Sequence, residues 1–152
     1  MKTTHNAMKR LSDRGFSLFE LMLLMMVMAL ILSMGIPQLR HSVAAYRLVS
    51  CAHMVAGELS AGRTMAISRS TVHEVTLDTI NHTIQITDPD DADNAPRIMK
   101  FLDSGITFAL VPDPTISFFG RGLARGGTIV LENEFGDPTS ITVTAGGKVT
   151  IG

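Results

Sequence analysis

The sequence predicts an α+β chain in which one long N-terminal helix, its first half transmembrane and its second half amphipathic, packs on an antiparallel β-sheet head. Three observations carry this. An unbroken apolar block, FSLFELMLLMMVMALILSMGI, fills residues 16–36 with Glu20 as its one ionisable side chain. From about residue 39 to 69, small and apolar residues recur at spacings of three and four. Beyond residue 71 the period falls to two, in short runs of Val, Ile, Thr and Phe.

The apolar block also explains the composition. A chain of 152 residues that is 45% hydrophobic is too apolar for an ordinary small soluble domain, and the excess sits in this one segment. Lys2, Lys9, Arg10 and Arg14 stand against Asp13, so the first fifteen residues carry +3 and the remainder of a −1 chain carries −4. Basic residues just before an apolar span hold that end in the cytoplasm. The near-neutral total excludes a protein that attracts nucleic acid with its whole surface, leaving only local patches. Cys51 is the single cysteine, which excludes an intrachain disulfide and reads as a small apolar residue on a helix face.

Twenty-one residues from Phe16 to Ile36 rise about 31 Å as a helix, the hydrocarbon thickness of a bilayer. A secretory signal peptide is the competing reading, with Ser33 and Gly35 as its small-residue cleavage site. The block is longer than a typical signal core, and a helical pattern continues after it. Glu20 lies one turn inside, where a carboxylate costs a few kcal/mol unless compensated. A new N-terminus at Phe16 would place an ammonium four residues away, about 6 Å along the axis on the same face, in the same chain or in a neighbour. Gly15 leaves an unencumbered backbone for such a cut. The alternative is a glutamate that snorkels to the interface from near the helix end.

Here the residues meet a family. The stretch RGFSLFELMLLMMVMALILSMGIP resembles the N-terminus of type IV prepilins and type II secretion pseudopilins. The resemblance implies a leader at 1–15, cleavage by prepilin peptidase between Gly15 and Phe16, N-methylation of Phe16, and a role in assembly for Glu20 as the acidic fifth mature residue. It further implies partners among other pilin or pseudopilin subunits, a single-pass anchor in the lipid of the bacterial inner membrane with a periplasmic head, and later incorporation into a filament. Pro37 falls where helices of that family often carry a proline. Under this division 16–36 is the transmembrane helix, 37–70 the amphipathic half and 71–152 the β-rich head.

Pro37 lacks an amide donor and predicts a kink or interruption. Past it, Ala44, Leu48, Ala52, Val55, Leu59, Gly62 and Ala66 form one face, with Arg40, Arg47, Glu58 and Arg69 off it. Strands are predicted at 72–77, 82–87, 106–110, 115–119, 128–132, 140–144 and 148–151, in one sheet wrapped on the helix. Residues 78–81 read as a hairpin connection, and Gly146-Gly147 as a two-residue turn.

The head is similar to the FimT and GspH type of minor pilin, on FFGRGLARGGTIVL at 118–131 and ITVTAGGKVTIG at 141–152. FimT-type proteins bind DNA through a C-terminal Gly-Arg-x-Arg motif, so the resemblance brings an alternative: a DNA-binding minor pilin acting in DNA uptake. Arg121 and Arg125, in a Gly-rich loop that permits close approach of a partner, and Lys148 are its candidate residues. The matching motif here reads Gly147-Lys148-Val149-Thr150, so one of two positive charges is missing and phosphate affinity should fall.

The run DPDDADN offers Asp88, Asp90, Asp91 and Asp93 as oxygen ligands for calcium, but lacks the glycine of an EF-hand and reads as a solvated loop. His5, His41, His53, His73 and His82 show no metal-ligand spacing, and no serine or threonine sits in a nucleophile elbow. The sequence therefore predicts a structural subunit with no catalytic residues, no metal and no cofactor.

Overall fold

The computed structural model describes residues 15–90 and 98–152. The chain divides into two units, Met1–Gln38 and Leu39–Gly152. Helix α1, Leu18–Arg69, supplies the described helix of both, and its assignment is uninterrupted through Pro37. In the first unit every described side chain is exposed. Ser33 turns its hydroxyl back to the Leu30 carbonyl at 2.8 Å, so it adds no unsatisfied donor to this apolar stretch.

In the second unit, α1 buries one face: Ala44, Leu48, Cys51, Ala52, Val55, Leu59, Gly62 and Ala66, the face that the spacing predicts, together with Glu58. The small residues on it let the sheet come close. A Cβ on Gly62 would stand 2.6 Å from Val75 Cγ2. The helix stops at Ser70, which adopts a left-handed conformation with φ of 55°. The amide of Thr71 then returns to the Ala66 carbonyl at 3.2 Å, closing the last turn.

Among the described residues nine strands follow: β1 His73–Asp78, β2 Thr83–Thr87, β3 Ile98–Phe101, β4 Ile106–Leu110, β5 Thr115–Phe118, β6 Ala124–Arg125, β7 Thr128–Asn133, β8 Pro138–Val143 and β9 Val149–Ile151. They form two antiparallel sheets, one ordered β3-β2-β1-β5-β6 and the other β4-β7-β8-β9. Strict alternation places Val75 and Leu77 of β1, Ile116 and Phe118 of β5, Ile129 and Leu131 of β7, and Ile141 and Val143 of β8 in one core with the helix face. Each such side chain contributes about 1.5–3 kcal/mol relative to exposure.

The seven predicted strands are present, but the head is two sheets rather than one, and β3 and β6 are additional. β6 is two residues long and exists because β5 pairs with it, Phe118 opposite Ala124, inside a stretch whose glycines give no strand signal. Past it, the chain crosses to the second sheet at Gly126 and Gly127. Val143 donates to the Gly127 carbonyl at 2.8 Å, and Ala124 to that of Ala145 at 3.0 Å. The β8–β9 connection is longer than predicted. Thr144 pairs with Lys148, leaving Ala145, Gly146 and Gly147 in the loop with Gly147 at φ of 73°.

Candidate functional site

The residues singled out by sequence fall in two places. Phe16, just before α1, and Glu20, four residues on in its first turn, line one shallow groove with Leu21, Leu23, Leu24 and Val27. Glu20 occupies the first turn, where the helix dipole favours a carboxylate. Gly15 precedes the helix with open space about it. Residues 1–14, which carry the predicted leader and its charges, lie outside the described residues, as do Asp91 and Asp93 of the acidic run. By length and composition α1 can cross a membrane, and it is the one such helix among the described residues.

On the head, Arg121, Arg125 and Lys148 are all exposed. Arg121 and Lys148 are drawn to one region by Arg63 of α1, which sequence reading did not single out. Its guanidinium donates from Nε to the Gly122 carbonyl at 3.2 Å and from Nη2 to that of Gly146 at 3.3 Å. Gly122 and Gly147 touch there: a Cβ on Gly147 would lie 2.2 Å from the Gly122 oxygen. Arg125 sits opposite Ser117 on the outward face of the first sheet.

Two glycines of GRGLARGG, Gly120 and Gly126, approach the chain's own backbone, while Gly122 packs on side chains of Ile67 and Arg63 and Gly127 is open. A Cβ on Gly120 would meet Ser70 at 2.7 Å, and one on Gly126 would meet the Val143 oxygen at 2.0 Å. Only glycine passes these crossings.

A second set of polar groups is buried. His73 is 0% exposed. Its Nδ1 lies 3.3 Å from Thr71 Oγ1, and its Nε2 lies 3.7 Å from an Asp88 oxygen that Arg69 also approaches at 3.6 Å. Asp88, predicted as part of a solvated loop, is buried between the last residue of α1 and β1. Glu58, predicted off the packed face, is buried and meets Lys100 of β3 at 3.0 Å. Neither pairing has a sequence signal, because each partner comes from a distant element. Cys51 is buried as predicted, and desolvation pushes its thiol up from the ordinary value. At the other end of the head's helix, His41 stacks on Phe135 with ring centroids 4.6 Å apart and stands 3.8 Å from Asp137. Among the described residues, no three His, Cys, Asp or Glu side chains converge as a metal site.

This helix wrapped by two antiparallel sheets is found in solved structures. The minor pseudopilin EpsH of the Vibrio cholerae type 2 secretion system superposes with a TM-score of 0.57 at 15% identity, over 69% of this chain and 95% of that one. The type IV minor pilin FimU of Pseudomonas aeruginosa gives 0.60 at 15% identity, over 71% and 90%. At such identities the likeness is one of fold. No curated protein matches the sequence. The family model for the type II transport protein GspH matches residues 52–147. These comparisons give the DNA-uptake alternative no support. Residues 52–147 take in most of the packed part of α1, strands β1 to β8 and the glycine crossings, and the chain belongs to the GspH family, with the fold of minor pseudopilins and minor pilins.

Proposed function

We propose that the chain is a structural filament subunit of the minor pilin or pseudopilin kind, without catalytic activity. Prepilin peptidase removes residues 1–15, the new Phe16 is N-methylated, and residues 16–36 anchor the subunit in the inner membrane with its head in the periplasm. Glu20 pairs with the Phe16 amine of an adjacent subunit and sets register as anchors bundle.

One observation carries this reading. Helix α1 buries side chains in the head only from Ala44 onward, while everything described from Gly15 to Val43 is exposed, apolar through the span and interrupted by the one carboxylate. An exposed apolar helix needs lipid or other helices around it, and a carboxylate within it needs a positive partner.

Intact mass of the membrane-extracted protein tests the first part. A mature chain beginning at methylated Phe16 is expected, and one beginning after Gly35 overturns the anchor. Co-assembly tests the second. Glu20→Gln should leave leader removal intact and sharply lower recovery of the subunit with its filament, whereas wild-type recovery refutes the pairing.

A further inference from the structure

The first turns of α1 within the head carry an open groove. Leu39, Arg40, Val43 and Arg47 line it from the helix, and Glu134 lines it from the β7–β8 turn. Arg40 and Arg47 are seven residues apart, so both project from one helix face, about 10 Å apart along the axis, with Val43 between them. Leu39 and Val43 are 65% and 42% exposed there. Among the described residues neither arginine has an ion-pair partner, and neither has Glu134.

The turn that presents Glu134 is braced. Asn133 Oδ1 accepts from the amides of Phe135 and Asp137 at 2.9 Å each, and Asn133 Nδ2 donates to Asp137 at 2.9 Å. Phe135 stacks on His41, which ties the turn to the helix. Two guanidiniums and a carboxylate over apolar side chains therefore form a preset surface of mixed sign.

Its surroundings are acidic. Asp137 stands beside His41, Glu132 lies against Gly136, and Asp103 lines a hollow with Ser50 and Cys51 of the next helical turn. Asp78 ends β1 there, and Asp113 precedes Pro114, whose carbonyl accepts from Leu77. This end of the head as a whole does not attract a sheet of negative charge. The groove instead matches one small zwitterion, with a phosphate diester for the arginines and an ammonium for Glu134.

Chain length says where such a group is met. Whatever angle the chain takes at Pro37, Arg40 is four residues beyond Ile36, at most about 14 Å of extended backbone. The headgroup layer reaches about 5–7 Å past the hydrocarbon, and a long arginine stem extends toward it. We infer that the groove holds the headgroup of an aminophospholipid from the membrane that anchors the chain. Arg40 and Arg47 donate to its phosphate, Glu134 accepts from its ammonium, and Leu39 and Val43 lie along its glycerol. The site rests on the anchoring proposed above and adds to it a specific lipid partner for the head.

NMR of the full chain in maltoside micelles tests it. Short-chain phosphatidylethanolamine should shift the Nε–H signals of Arg40 and Arg47 together and saturably, while that of Arg125 on β6 stays put. Arg40→Gln or Arg47→Gln should each weaken the apparent affinity about tenfold, as loss of a charge-assisted hydrogen bond does. Glu134→Gln should cut the preference for phosphatidylethanolamine over phosphatidylglycerol about twofold to fivefold. The site is overturned if phosphatidylglycerol binds the wild type as tightly, if inorganic phosphate gives the same shifts at equal concentration, or if the glutamine variants bind as the wild type does. Flotation of the same chain with vesicles reads the anchor separately. A chain that floats without a lipid-specific shift sinks this site alone, and a chain that does not float sinks the anchoring.

Discussion

Replacing Gly126 with alanine should unfasten the two sheets of the head. The new Cβ would lie 2.0 Å from the Val143 carbonyl oxygen and 2.8 Å from its carbon, both backbone atoms that no rotamer change can move. Relieving that overlap separates the crossing from β8 and sacrifices the bonds from Val143 to Gly127 and from Ala124 to Ala145. Two such bonds are worth about 1 kcal/mol each, and overpacking adds about 1–2 kcal/mol. The loss is therefore about 3 kcal/mol, which for a head of this size lowers the midpoint by about 12 °C. Gly127 provides the internal control, since a Cβ there meets nothing within 4 Å and its φ is not left-handed. Gly127→Ala should leave the midpoint within about 2 °C, as surface substitutions do. Scanning calorimetry of the full chain in detergent micelles measures both. If Gly126→Ala melts with the wild type, or Gly127→Ala falls as far, the glycines are not there for the crossing.

Lys100→Met should destabilise by about 1–3 kcal/mol, because it leaves the Glu58 carboxylate buried without its cation. Glu58→Met with Lys100→Met should recover part of that loss, and simple additivity in denaturant melts refutes the pairing. Asp78 is held below its ordinary value of 3.8 by hydrogen bonds from the Asn81 backbone, the Asn81 side chain and the Ile80 backbone. Its folded value is depressed, so its contribution is full above the unfolded value and is lost as pH falls through the folded one. An NMR titration should find Asp78 protonating below ordinary aspartates, and Asp78→Asn should remove that share of the acid sensitivity. Arg63→Ala should cost about 1–2 kcal/mol, since two loop carbonyls lose a donor. Faster hydrogen exchange at the Gly147 amide, with Arg63→Lys only partly restoring protection, is the expected signature.

The helix was legible because its periodicity reports a single property, the face that meets the sheets. Ala44, Leu48, Ala52, Val55, Leu59, Gly62 and Ala66 are all buried. Glu58 broke the pattern because its partner Lys100 belongs to β3, a strand too short to announce itself, and a carboxylate reads as solvent-facing until its cation is known. Asp88 is the same case, since Arg69 and His73 surround it from other elements. The alternating strands were legible one at a time, yet their division between two sheets was not. That division turns on the crossing at Gly126, whose lack of a side chain says only that something comes close. The same ambiguity let GRGLARGG read as a site for a partner when its close neighbours are Ser70, Ile67 and Val143. Arg63 gave no signal, because a helix arginine bonded to loop carbonyls is indistinguishable in sequence from one in solvent.

The acceptors at Ala145 and Gly146 come late in the chain, after the groups that use them, Ala124 and Arg63. A chain delivered N-terminus first therefore exposes α1 and every described strand of its first sheet before the residues that tie the two sheets together arrive. During that interval Phe118 and its neighbours lack part of their cover, which invites capture by a chaperone or a wrong neighbour. Slowing delivery of these few glycine-rich residues should lengthen the vulnerable period without altering the finished molecule.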